Sequence, residues 1–179
     1  MSGRIGRDVE ITLFDAFRAS LQRTFENYPY LFQHKKNRIA FSHRLASEMD
    51  RETGGRYLID ISLPVTNERT GITPDIIVRE RDLRLVMALY IEEDYLSKAE
   101  KDEASRLHEE TGAFTLALSI LSEKEYVLLY RFAASFTDYL HLSKHDYSDS
   151  LLKRMEDQKP DEQLLLIPQP KKRSKNSKE

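Results

Sequence analysis

From Asp8 to Phe25 the apolar residues Leu13, Phe14, Phe17, Leu21 and Phe25 recur every three or four positions, the spacing that lines up one face of a helix. Pro29 in "NYPYLFQHKKN" interrupts the pattern. A second helical pattern runs from about Arg38 to Glu52, with Ile39, Leu45 and Met49 directed inward and Gly54-Gly55 as its stop. The rhythm then changes to two: "RYLIDISLPV" sets Tyr57, Ile59, Ile61 and Leu63 against Leu58, Asp60 and Ser62, as in a strand with one buried face. The turn-rich "NERTGITP" leads into "DIIV", and "RERD" separates that run from "LRLVMALYI". Near-continuous apolar character suits a central strand covered on both sides. Three consecutive strands so spaced predict a meander.

Ser97 to Thr111 is highly charged and lacks Gly and Pro. It reads as an exposed helix with a narrow inner stripe of Leu96, Ala104 and Leu107, stopped at Gly112. "FTLALSIL" and "EYVLLYRFA" follow as two more strands, and helical patterns are expected at about Ser135 to Leu142 and Ser148 to Met155. Helices alternating with strands in this order argue for an α/β sandwich with helices on both faces.

Composition narrows the class. The chain has 179 residues, enough for one domain with a sizeable core, and 40% hydrophobic with 32% charged residues describes a globular protein with an ionised surface. No apolar run approaches the roughly 20 residues that span a bilayer, so no membrane role is expected. The start "MSGRIGRDVE" lacks a signal-peptide core and there is no cysteine, which makes the cytoplasm the expected address and excludes disulfides and thiolate metal sites. With a net charge of -2, any nucleic-acid surface has to be local. "HKK" at His34 to Lys36 and Lys171, Lys172, Arg173 and Lys175 near the C-terminus are the basic clusters available for phosphate contact. His141 and His145 would share a face if that stretch were helical, but no third zinc ligand lies nearby in sequence.

The candidate chemistry lies around the second and third strands. Asp75 stands at the entrance to one, and Glu92, Glu93 and Asp94 follow the end of the next. Carboxylates from neighbouring strand ends can converge on Mg²⁺, which takes oxygen ligands at about 2.0–2.1 Å. Such an ion activates water and neutralises a phosphodiester transition state, and Lys98 or Lys101 could add charge from the following helix. The alternative is local: Pro-Asp is common turn chemistry, and acids before a helix suit its dipole.

The order helix, "RYLIDISLPV", "TPDIIVRERD", "LRLVMALYI", "KDEASRLHEETG", "FTLALSIL" resembles the PD-(D/E)xK superfamily of restriction-endonuclease-like nucleases, over about Arg38 to Leu121. The likeness is to small prokaryotic members in which a Pro-Asp-Ile-Ile-Val strand precedes a strand ending in Glu-x-Lys. It implies a restriction-endonuclease-like mixed central sheet flanked by helices, here with an extra N-terminal helix. Asp75 matches the first metal-binding aspartate. Ala88 falls at the glutamate and Tyr90 at the lysine, so both catalytic positions depart from the pattern. The carboxylate that such proteins often carry in the preceding helix would fall near Arg38, with Glu48 farther along.

A degenerate site of this kind implies a nuclease-shaped protein that binds nucleic acid or protein without cutting. Residues 1–37 form an N-terminal helix and connector packing on the core, 38–157 a nuclease-like core with C-terminal helical additions, and 158–179 a flexible basic tail. One alternative is an active Mg²⁺-dependent nuclease with migrated residues: Asp75 and Glu92 on the metal, and Lys98 or Lys101 as the cation. Glu92 is two positions beyond Tyr90 and four beyond Ala88, on the same face of an extended strand. The other alternative is a protein-interaction subunit with no nucleic-acid role, meeting its partner through the "FDAFRASLQRTF" helix. Mg²⁺ is the expected cofactor of the active form alone; the other readings need none.

Overall fold

A computed structural model of the chain describes residues 5–33, 36–61, 73–121, 126–133, 136–143 and 152–155. Two helices come first, α1 (Arg7–Asn27) and α2 (Arg38–Thr53), joined through a short 3-10 turn at Pro29–Phe32. Strands β1 (Leu58–Ile61), β2 (Ile76–Arg79) and β3 (Leu85–Glu92) form an antiparallel meander. Helix α3 (Lys98–Thr111) then carries the chain back to β4 (Phe114–Leu121), which lies parallel to β3. A parallel pair needs such a crossover because its second strand must start at the same end as the first. β5 (Tyr126–Ala133) pairs antiparallel with β4 and completes a five-stranded mixed sheet. Two further strands, β6 (Phe136–Ser143) and β7 (Leu152–Met155), extend it in sequence order.

Alternation along the central strands decides which helix covers which face. Met87, Leu89 and Ile91 of β3 point to one side, with Ile76, Val78, Leu116 and Leu118. There they meet Leu13, Phe17 and Leu21 of α1 and Phe41, Leu45 and Met49 of α2. Each such fully buried side chain contributes about 1.5–3 kcal/mol. On the other side Ala88, Tyr90, Ala117, Tyr130 and Phe132 pack beneath Leu96, Ala104 and Leu107 of the α3 segment. The long apolar run of β3 is thus explained by burial on both faces, with only the two strand ends partly exposed. The apolar face of α1 is spent inside this core; among the described residues Ile11 is its one large apolar side chain left exposed.

The helix ends follow local chemistry. Gly54 closes α2 and Gly112 closes α3, at φ 60° and 68°, left-handed values that suit glycine. Ser97 starts α3 with a reciprocal cap: its hydroxyl accepts from the Glu100 N–H, and its own N–H donates to the Glu100 carboxylate at 2.6 Å.

Three expectations change. Ile39 is not inward but 73% exposed, because the buried stripe of α2 runs through Phe41, Leu45, Ala46 and Met49. Of the two stretches expected to be helical, Ser135 to Leu142 and Ser148 to Met155, the described residues 136–142 belong to β6 and 152–155 to β7; 135 and 148–151 lie outside the described residues. β5 would otherwise end the sheet with an open edge, and β6 satisfies that edge along its whole length, from Tyr126 opposite Ser143 to Ala133 opposite Phe136. His141 therefore sits in a strand, and the helical pairing with His145 is lost; His145 lies outside the described residues.

Candidate functional site

β2 runs antiparallel to β3, so the start of β2 lies beside the end of β3, next to the start of α2. Asp75, just ahead of β2, is 6% exposed. Its N–H donates to the Leu89 carbonyl at 2.8 Å, and its carboxylate accepts from the Ile91 N–H at 2.8 Å. The aspartate thus holds β3 through both backbone and side chain. Glu92, the last residue of β3, has the strand parity of Ala88 and Tyr90 and arrives at the same end of the sheet.

What joins them is Arg38, the first residue of α2. Its Nε and Nη2 donate to the two oxygens of Asp75 at 2.7 and 3.0 Å, and its Nη1 donates to Glu92 at 2.8 Å. A guanidinium is a planar fork that matches a carboxylate with two parallel bonds and leaves a third donor for a second acid. The backbone N–H of Arg38 also donates to Glu93, at 2.9 Å. Glu92 in turn hydrogen-bonds Glu100, the residue that caps α3.

Charge is distributed unevenly in this group. Burial works against the Arg38 cation, but its bond to Asp75 and the fields of Asp75, Glu92 and Glu100 outweigh that cost and hold it above its ordinary value. Glu92 is pushed up to about 7, first by burial and then by the carboxylates of Glu100 and Asp75, against the pull of Arg38. Glu100 moves down despite its own burial, because Ser97 and Glu92 donate to it. Two carboxyls in contact cannot both ionise freely, and the proton they share belongs mainly to Glu92.

The sequence-predicted residues separate into groups. Asp75 and Glu92 meet at one cation, and that cation is Arg38. Ala88 and Tyr90 are 0% and 2% exposed and belong to the apolar layer under α3. Burial first, and then the negative charges of Glu103 and Asp75, raise the Tyr90 phenol, which stays protonated. Lys98 is exposed on the first turn of α3. Lys101 is half-buried with its ammonium 5.5 Å from the centre of the Tyr130 ring, and burial lowers its pKa. Glu48 is buried on α2 and paired with Arg51. His34, Lys35, Lys171, Lys172, Arg173 and Lys175 lie outside the described residues.

A magnesium ion does not fit the residues as they stand. Both oxygens of Asp75 are already held by Arg38, one of them also by Ile91, and a guanidinium stands between Asp75 and Glu92. Among the described residues no group of three or more Asp, Glu or His is arranged to hold a metal.

In the sequence, Arg38 fell near the helix acid of the nuclease resemblance and was given no role, and Glu100 was passed over. Both carry a local signal. A cation in the first turn of a helix opposes the helix dipole, and α2 has no acid in that turn, so Arg38 needs a partner from elsewhere in the fold. Ser97-x-x-Glu100 is a capping box, which fixes the Glu100 carboxylate near the end of β3.

The chain has no match among known family models, curated proteins or solved structures. Among the described residues no helix is long and apolar enough to cross a membrane.

Proposed function

We propose that this chain is a PD-(D/E)xK-like protein without nuclease chemistry, and that it works by binding nucleic acid. The observation that carries the reading is the state of Ala88 and Tyr90: the two positions where the resemblance puts an acid and an amine are packed into an apolar layer beneath α3. A phosphodiesterase of this kind needs a metal-held water and a fixed cation beside the phosphate. Neither position supplies one. The fold-level part of the reading is supported by element order, since α2, β1, β2, β3, α3 and β4 follow one another as the quoted motifs do.

The binding part rests on charge and aromatic surface next to the site. From Asn27 to Ser47 the chain has no Asp or Glu but carries Lys35, Lys36 and Arg44 besides the acid-paired Arg38, in a protein whose net charge is -2. Tyr30 is 50% exposed, Tyr28 lies edge-on to it, and the Arg44 guanidinium sits 4.8 Å from the Tyr28 ring centre. Tyr28 is itself partly buried against the core, so Tyr30 is the exposed ring and Arg44 the neighbouring cation that suit a stacked base and its phosphate.

The test is incubation with single- and double-stranded DNA and RNA in Mg²⁺ or Mn²⁺, beside an Asp75→Ala control. The expected outcome is no cleavage, with binding that weakens as salt rises and whose salt slope falls by about one with each of Lys36→Gln and Arg44→Gln. Cleavage that disappears in the Asp75→Ala protein would overturn the loss of catalysis. Absence of binding to either polymer would overturn the nucleic-acid role.

A further inference from the structure

Four acidic side chains meet at one end of the sheet: Asp75 and Glu92 on the Arg38 guanidinium, Glu93 on the Arg38 backbone N–H, and Glu100 on Glu92. We infer that Arg38 is a built-in substitute for a divalent cation, so that the two acids it bridges are already occupied in the native chain and a metal ion is accepted only when the guanidinium is removed.

Geometry supports the substitution. Three guanidinium nitrogens each donate to an acid oxygen at 2.7 to 3.0 Å, and of the two acids so held one stands just ahead of β2 and the other ends β3. That is the structural service a hard ion gives: it ties strand ends together and cancels their repulsion. The difference is that a guanidinium needs no open coordination sphere, and so presents no activated water. A second observation concerns the residue beside Glu92. Ser119 of β4 lies beside Glu92 in the parallel ladder, and its fully buried hydroxyl has no hydrogen-bond partner among the described residues. By strand parity it faces the same layer as Ala117, Ala88 and Tyr90. A neutral oxygen left over next to a carboxylate is what a cation larger in oxygen demand than Arg38 would recruit.

The position on α2 points the same way. A cation at a helix N-terminus works against the dipole, so local helix chemistry does not explain Arg38. Its placement is explained by the acids it meets. The inference does not depend on whether the protein binds nucleic acid, and its test uses none.

Thermal unfolding of the full chain is followed with and without millimolar MnCl₂, for wild type, Arg38→Ala, Arg38→Gln and Arg38→Ala/Asp75→Asn. Wild type is expected to show no Mn²⁺-dependent shift. Each single variant is expected to melt about 3–8 °C lower without metal and to recover at least half of that loss with Mn²⁺. The double variant is expected to recover nothing. Electron paramagnetic resonance of free Mn²⁺ provides the second readout, with signal depleted by the single variants and not by wild type. Stabilisation of wild type by Mn²⁺ that vanishes in Asp75→Asn would overturn the inference, as would single variants that fold but ignore the ion. Should neither single variant fold, the wild-type titration alone still decides, because depletion of the Mn²⁺ signal at an Asp75-dependent site overturns the substitution and its absence supports it.

Discussion

Asp75 has both oxygens occupied and Glu92 holds its proton up to about pH 7, so the two acids at this site do different things in the same small space. Asp75 is a structural anion, fixed by the Ile91 N–H and the Arg38 fork. Glu92 is the titrating member, with a pKa of about 7 in the fold against an ordinary 4.5. Between those two values the folded chain binds more protons at this position than the unfolded chain does. Its contribution to stability is therefore fully present below about pH 4.5 and is lost as the pH rises through about 7. Glutamine cannot titrate, so wild type should lose roughly 1–3 kcal/mol relative to Glu92→Gln across that window, with no further change above it. Glu100 shifts the opposite way, adding stability above its ordinary value and losing it as pH falls; its bonds to Ser97, which contribute most to that shift, are present in both proteins. Urea unfolding at a series of pH values measures this, and a difference independent of pH would show that Glu92 ionises normally. Little of this was legible in the sequence. Asp75 announced itself through "PDIIV", but the pairing with Arg38 links positions brought together only by the sheet, and no local pattern encodes it.

At the scale of elements, the helices and the meander were legible because each repeats one period over several turns or residues. Leu13, Phe17 and Leu21 are buried as their spacing required, and so are Leu96, Ala104 and Leu107. Ile39 misled because an apolar residue in the first turn of a helix need not lie on its buried stripe. β6 and β7 misled for another reason: a strand recruited to the edge of a sheet is specified by its partner's unpaired backbone as much as by its own alternation. The start of α3 tests how local chemistry supports the site. Ser97→Ala removes the hydroxyl that accepts the Glu100 N–H and should cost about 1 kcal/mol, or roughly 2–4 °C in melting temperature. Ser97→Gly should cost only a few tenths of a kcal/mol more than wild type. Equal losses for the two would mean that the cap is not what starts the helix.

For the molecule as a whole, the layers explain why a Glu-x-Lys pair is not accommodated at positions 88 and 90. Positions 88 and 90 lie inside the layer between the sheet and α3, together with Ala117, Tyr130 and Phe132. Ala88→Glu with Tyr90→Lys would place a carboxylate and an ammonium in an apolar space, at a cost of roughly 3 kcal/mol or more, because buried charges lose their hydration before they gain a partner. The double variant should unfold at clearly lower urea than wild type and still leave DNA and RNA intact in Mg²⁺. Wild-type stability together with cleavage would mean that the layer is open enough to be an active site. The Arg38 bridge has a different bearing, on time rather than on equilibrium. Its partners stand 37 and 54 residues away along the chain, on strands that must already be paired for the fork to reach both. Closing such long loops is entropically slow, so the bridge belongs among the last contacts to form and the first to break. A latch on a finished sheet is the expected behaviour, with Arg38→Gln speeding unfolding and leaving the folding rate nearly unchanged in stopped-flow measurements.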